Sequence, residues 1–122
     1  MSDTDARQAI LNVMARYPDL TIDGLDGHRR DNFDARRDDL LSHSAIKQFE
    51  AARAWFDNVP RRTTPNQRCD SYRIKHLIEW TLGLYIANGA CICAALALGI
   101  DIRRCPSGIN AYLGISGAVK SA

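Results

Sequence analysis

Apolar residues recur at helical spacing in four stretches of this chain, with polar runs between them. In residues 4–17, Ala6, Ile10, Val13, Met14 and Tyr17 fall on one stripe; Thr4 can cap its start and Pro18 forces the exit. Residues 42–58 carry Ala45, Phe49, Ala52 and Phe56 on a seam that continues to Val59, widened by Ile46 and flanked by Trp55, and Pro60 ends it. Residues 71–82 place Ile74, Leu77, Ile78 and Leu82, with Tyr85 beyond, on one face behind Ser71 as N-cap. The opposite face offers Arg73, Lys75, His76 and Glu79, the lysine and glutamate reading as a surface pair four residues apart. Gly83 breaks this helix, Asn88 caps the next, GACICAALAL, and Gly99 stops it.

Between the stripes the periodicity fails. Residues 18–42 hold two glycines and a polar majority, and read as a long loop with a short extended piece at Leu20–Ile22. The run PRRTTPNQRCD reads as a polar linker leading to Ser71. After Gly99, IDIRRC and INAYLGIS read as two short extended segments around the turn PSG. Ile109, Ala111, Leu113 and Ile115 alternate there with Asn110, Tyr112, Gly114 and Ser116, as in a half-buried strand. The expected architecture is one domain over residues 1–122, mainly α. Three to four helices surround a central apolar helix at 88–98, with a small C-terminal β-hairpin within 100–116.

Composition changes this picture little. An apolar share of 46% and a charged share of 25% are ordinary for a globular chain long enough to bury its own core. The opening MSDTDARQAILN has no apolar stretch of the kind that forms a secretory leader, so a cytoplasmic setting is expected. The 21 residues between Glu79 and Asp101 carry no charge and would just span a bilayer. Asn88-Gly89 interrupts them and alanine dilutes them, so they read as a buried helix and no membrane partner is expected. Cys69, Cys91, Cys93 and Cys105 follow no zinc or redox spacing and are expected to be reduced, structural thiols; no metal or cofactor is expected.

Charge is uneven beneath a net +2. Residues 18–42 carry seven aspartates against four arginines, and Asp31, Asp34, Asp38 and Asp39 form a candidate surface for a basic partner. Arg61, Arg62, Arg68, Arg73 and Lys75 face only Asp70 locally, with Tyr72 interleaved, which suits contact with phosphates or an acidic protein surface. His76 and Glu79, three apart on one helix, could share a proton, but no third group is fixed beside them, and no catalytic residue is assigned. A helix-turn-helix reading fails after Gly99, where Pro106 and Gly108 fall in the place of a recognition helix.

The run SYRIKHLIEW, then YIANGACICAALALGI, then INAYLGIS resembles a group of short, mostly uncharacterised proteins of bacterial phages, plasmids and integrative elements. Their pattern is matched here by Ser71, Tyr72, Lys75, His76, Glu79, Tyr85, Asn88, Gly89, Ala94, Ala95, Gly99, Asn110, Ala111 and Tyr112. Ile74 departs from the pattern's leucine, and the alanine doublet before Gly99 is offset by a residue from some of its versions. The resemblance covers residues 71–116 and implies an accessory protein of a mobile element. Ser71, Lys75, His76, Asn88 and Asn110 then either cross-link the helical pair or form a shared binding surface. The leading expectation is a non-enzymatic protein that binds a host or element protein complex, an anti-CRISPR-like inhibitor of host defence. The alternative is a DNA-binding regulator using residues 61–75 and the helical pair 71–98. Oligomeric state stays open, a homodimer being one option.

Overall fold

The computed structural model describes residues 3–106 and 108–116. Helix α1 (Asp3–Arg16) leads into a minimal hairpin of β1 (Leu20–Thr21) and β2 (Gly24–Leu25). Helix α2 (Phe33–Asp38) and a 3-10 turn (Asp39–Leu41) precede α3 (His43–Phe56). Strand β3 (Arg61–Asp70) runs directly into α4 (Ser71–Leu82), which is followed by α5 (Asn88–Ala97), β4 (Ile102–Arg104) and β5 (Ala111–Ile115).

The core is built around α5. Cys91, Ile92, Cys93, Ala94 and Ala95 are wholly buried, and α1, α3 and α4 all pack on this helix. Its small side chains let the neighbours approach closely, so Ile10, Phe49, Phe56 and Ile78 fill the space around it. The uncharged stretch is not one long helix, because α4 ends at Gly83 in the left-handed conformation (φ 70°) and α5 starts only at Asn88. Among the described residues no helix is long and apolar enough to cross a membrane.

The expected mainly α fold is overturned. Five α-helices share the described chain with five strands, and a three-stranded antiparallel sheet of order β3-β5-β4 makes this a mixed α/β fold. The C-terminal hairpin of β4 and β5 exists, but β5 is the middle strand of a larger sheet. Its third strand is the run PRRTTPNQRCD, whose polar composition reads as a linker. Most β3 side chains are exposed and its register against β5 shifts twice, so the two-residue alternation that betrays a strand is absent. Buried Asn66 closes the irregularity: its Nδ2 donates to Ile115 O (3.1 Å) and its Oδ1 accepts from Arg68 N (3.0 Å).

The segment 18–42 is likewise structured: Leu20, Leu25 and Leu40 are buried in the core, and two arginines tie its polar parts together. Arg36 donates to both carboxylate oxygens of Asp23 (2.6 and 2.8 Å) and to Asp39 Oδ2 (3.1 Å). Arg37 reaches the carbonyls of Tyr17, Leu20 and Met14, supplying donors beside the C-terminal end of α1. Two caps also differ from expectation. Asp70, not Ser71, caps α4 by accepting from Arg73 N (2.9 Å), and Ala87 occupies the N-cap position of α5 ahead of Asn88.

Burial pushes the Cys91 and Cys93 thiols up to about 12. A thiol-selective reagent at neutral pH is therefore expected to leave both unmodified in the native protein and to label them after denaturation. Mass spectrometry showing either labelled as fast as the half-buried Cys105 would place α5 at the surface instead.

Candidate functional site

Helix α4 does not bury the face that its pattern suggests. Ile74 and Ile78 point into the core, but their buried companions are Ser71 and Lys75, while Leu77 is half-buried and Leu82 is exposed. Lys75 is only 6% exposed. An ammonium group at that depth requires a partner, and the Glu79 carboxylate one turn on provides it at 2.9 Å. The same carboxylate receives the Ile86 amide (3.0 Å) on Oε2 and meets His76 Nδ1 (2.9 Å) on Oε1. Partial burial raises the Glu79 carboxyl, but the Ile86 amide, Lys75 and His76 outweigh it, so the group lies below its usual 4.5.

Two tyrosines complete the surroundings of this lysine. Its Nζ lies 4.8 Å from the Tyr85 ring centroid and 5.7 Å from that of Tyr72, within cation–π range, and Tyr72 makes an edge contact with the His76 ring. Beside them opens a cleft of about 160 Å³ lined by Asp23, Tyr72, Lys75, Tyr85, Asn88 and Asn110, among others. Asn88 braces it: Nδ2 donates to Asp23 O (2.9 Å) and to Asn110 Oδ1 (3.0 Å). Ser71 Oγ accepts from Ala111 N (3.0 Å), tying α4 to β5 below.

Polar residues from separate parts of the chain thus converge. Tyr72, Lys75 and His76 gather around Glu79, and Asn88 and Asn110 stand at the same cleft. Arg73 is exposed on α4 with its Nε 3.9 Å from Asp70. Arg61, Arg62 and Arg68 stand exposed on β3 and contribute no contact to the cluster; Arg61 donates to Leu98 O (2.7 Å) and Arg62 to Thr64 O (2.8 Å). Asp34 and Asp38 are exposed on α2, Asp31 precedes it, and Asp39 pairs with Arg36. Among the described residues no group of three or more His, Cys, Asp or Glu is placed to hold a metal ion.

Trp80, Leu84 and Asp23 were missed as site residues. Trp80 (66% exposed), Tyr85 (65%), Tyr72, Leu82 and Leu84 are the exposed large apolar side chains among the described residues, and all fall between residues 72 and 85. One tryptophan on the polar side of a helix was the available signal. Comparison with protein-family models, with curated proteins and with solved structures finds no match to this chain.

Proposed function

We propose that this is a non-enzymatic binding protein that acts by protein–protein contact, docking through the outer face of α4 and the turn that follows it. The observation that carries the reading is the confinement of the exposed large apolar side chains to residues 72–85. Monomeric proteins seldom leave aromatic side chains clustered in water, and Trp and Tyr are the residues most enriched in interface hot spots. Arg73 and His76 share this face with Tyr72 and Trp80, so the partner that fits is an apolar surface with an acidic rim. Glu79 supports a structural over a catalytic role, because three donors already occupy its two oxygens. On the resemblance of residues 71–116, the partner is a component of a host defence complex and the setting is the bacterial cytoplasm.

Cells whose CRISPR-type immunity destroys an incoming plasmid are expected to regain plasmid uptake when they express the protein. Trp80→Ala combined with Leu84→Ala should abolish that effect with the circular dichroism spectrum unchanged, each anchor being worth about 2 kcal/mol, or roughly thirtyfold in affinity. Equal activity of variant and wild type would remove the docking face. Failure of the folded wild type against the defence systems tested would remove the target class.

A further inference from the structure

We infer that the exposed side of β3 binds the phosphodiester backbone of a nucleic acid without reading its sequence, with Arg61, Arg62 and Arg68 as the phosphate contacts. The inference goes beyond the docking reading and does not rest on it, since these side chains lie outside residues 72–85.

Three observations converge on this ligand. First, the charge of these arginines is not cancelled. Arg30, Arg36, Arg73 and Arg104 each meet an aspartate, whereas among the described residues no carboxylate pairs with Arg61, Arg62 or Arg68. Two of the three are held in place, but by neutral groups: Arg61 Nη1 donates to Leu98 O (2.7 Å) and Arg62 Nε to Thr64 O (2.8 Å). Each guanidinium is thereby positioned while keeping its charge and most of its donors for phosphate oxygens. Second, Arg61 and Arg62 open onto a cleft of about 220 Å³ that Thr63, Asp101 and Gly114 also line. A β-carbon at Gly114 would stand 2.6 Å from Arg62 O, so the strand that carries Arg62 is seated directly on β5. Two guanidinium groups against the Asp101 carboxylate leave one net positive charge at the cleft. The single charge of a phosphodiester balances it, whereas a phosphomonoester brings about two and meets more repulsion from Asp101. Third, β3 is an edge strand paired with β5 alone. A peptide strand could not add there in register, because the two register shifts and Pro65 break the row of main-chain groups it would need. What the edge offers is side chains: Arg61 to Arg68 extend over up to roughly 20 Å, enough for successive phosphates of one strand. No aromatic residue lies on β3, so bases are not stacked there and sequence goes unread.

The test is a fluorescence-anisotropy titration of the full chain with labelled DNA, single-stranded and duplex, in two unrelated sequences and over a range of salt. Saturable binding is expected at low salt, alike for both sequences, with log K falling against log salt by about 2.7 on duplex and about 2.1 on the single strand for three contacts. Arg62→Gln combined with Arg68→Gln, which spares the Arg61 bond to Leu98, should flatten the duplex slope by about 1.8 with the circular dichroism spectrum unchanged. Asp101→Asn removes the opposing carboxylate without touching β3 and should tighten binding severalfold, a gain that no loss of folding can imitate. The stronger partner among the two forms of DNA identifies which backbone the strand fits. No saturable binding to either form at about 50 mM salt would overturn the proposal. So would a salt slope that the double variant keeps, or an affinity that Asp101→Asn fails to raise, since both would place the phosphates elsewhere. Binding to phosphatidylglycerol vesicles but to neither DNA would also overturn it, because the phosphodiester would then belong to a lipid surface. Trp80→Ala with Leu84→Ala should leave DNA binding unchanged, which separates this surface from the docking face; joint loss in that variant would overturn their independence.

Discussion

Replacing Gly89 by alanine is expected to destabilise the protein by about 2 kcal/mol, although the exchange normally favours a helix by about 1 kcal/mol. Gly89 is the second residue of α5, and its amide donates to Ile22 O (2.9 Å) in the turn of the β1–β2 hairpin. A β-carbon there would overlap the Thr21 carbonyl oxygen and lie 2.6 Å from the Ile22 carbonyl carbon. Those atoms are backbone, so no side-chain rotation relieves the clash and the hairpin must move away from the helix. That movement breaks the Gly89–Ile22 hydrogen bond and withdraws Asp23 from Asn88, so the cleft is lost along with stability. Urea denaturation of Gly89→Ala beside Gly27→Ala, whose added carbon meets only ordinary contact with Asp19, measures the difference. A Gly89→Ala protein as stable as the wild type would mean that the hairpin does not rest on α5.

The two halves of this architecture were unequally legible in the chain. Helices α1, α3, α4 and α5 stood out because a buried stripe such as Ile10, Val13 and Met14 repeats every three or four residues whatever it packs against. Strand β3 was hidden because its partner is the backbone of β5, reached through register shifts, while Arg61, Arg62, Thr63 and Thr64 face water. Backbone pairing leaves little mark on composition when one strand face is solvated and Pro65 interrupts the run. Segment 18–42 was hidden for a related reason: its buried leucines, Leu20, Leu25 and Leu40, are too widely spaced to form a period, and the arginines that tie it together, Arg36 and Arg37, read as surface by default.

The site shows the same limit more sharply. Lys75–Glu79 reads as a surface pair because both side chains are charged, yet a helical wheel sets Lys75 only about 60° from Ile78, at the edge of the apolar stripe. The fold turns α4 so that the pair lies beneath Tyr72 and Tyr85, where burial and not exposure defines it. No property of a single residue marks Tyr72, Lys75, His76, Glu79, Tyr85, Asn88 and Asn110 as neighbours. Polar residues spread over two helices, the turn between them and the approach to β5 make sense together only once three-dimensional proximity is known, as in the Asn88–Asn110 hydrogen bond.

Removing the Glu79 carboxylate tests whether that buried pair holds the site together. Glu79→Ala leaves the Lys75 ammonium at 6% exposure without its ion partner and the buried Ile86 amide without its acceptor. The expected cost is about 3 kcal/mol, the lower end for a broken buried pair because Glu79 itself keeps some access to water. Glu79→Gln keeps an acceptor for Ile86 but not the charge, so it should fall between the alanine variant and the wild type. Acidity supplies an independent check. The folded carboxyl titrates below its usual 4.5, so its stabilisation is complete above that pH and disappears as pH falls through the folded value. Wild-type stability should therefore approach that of Glu79→Gln on acidification, because protonation removes from the wild type the charge that the variant already lacks. Denaturation midpoints measured from neutral pH to below pH 4.5 follow this convergence. A gap that stays constant across that range would mean that the carboxyl titrates alike in the folded and unfolded protein, so that its charge adds nothing to stability.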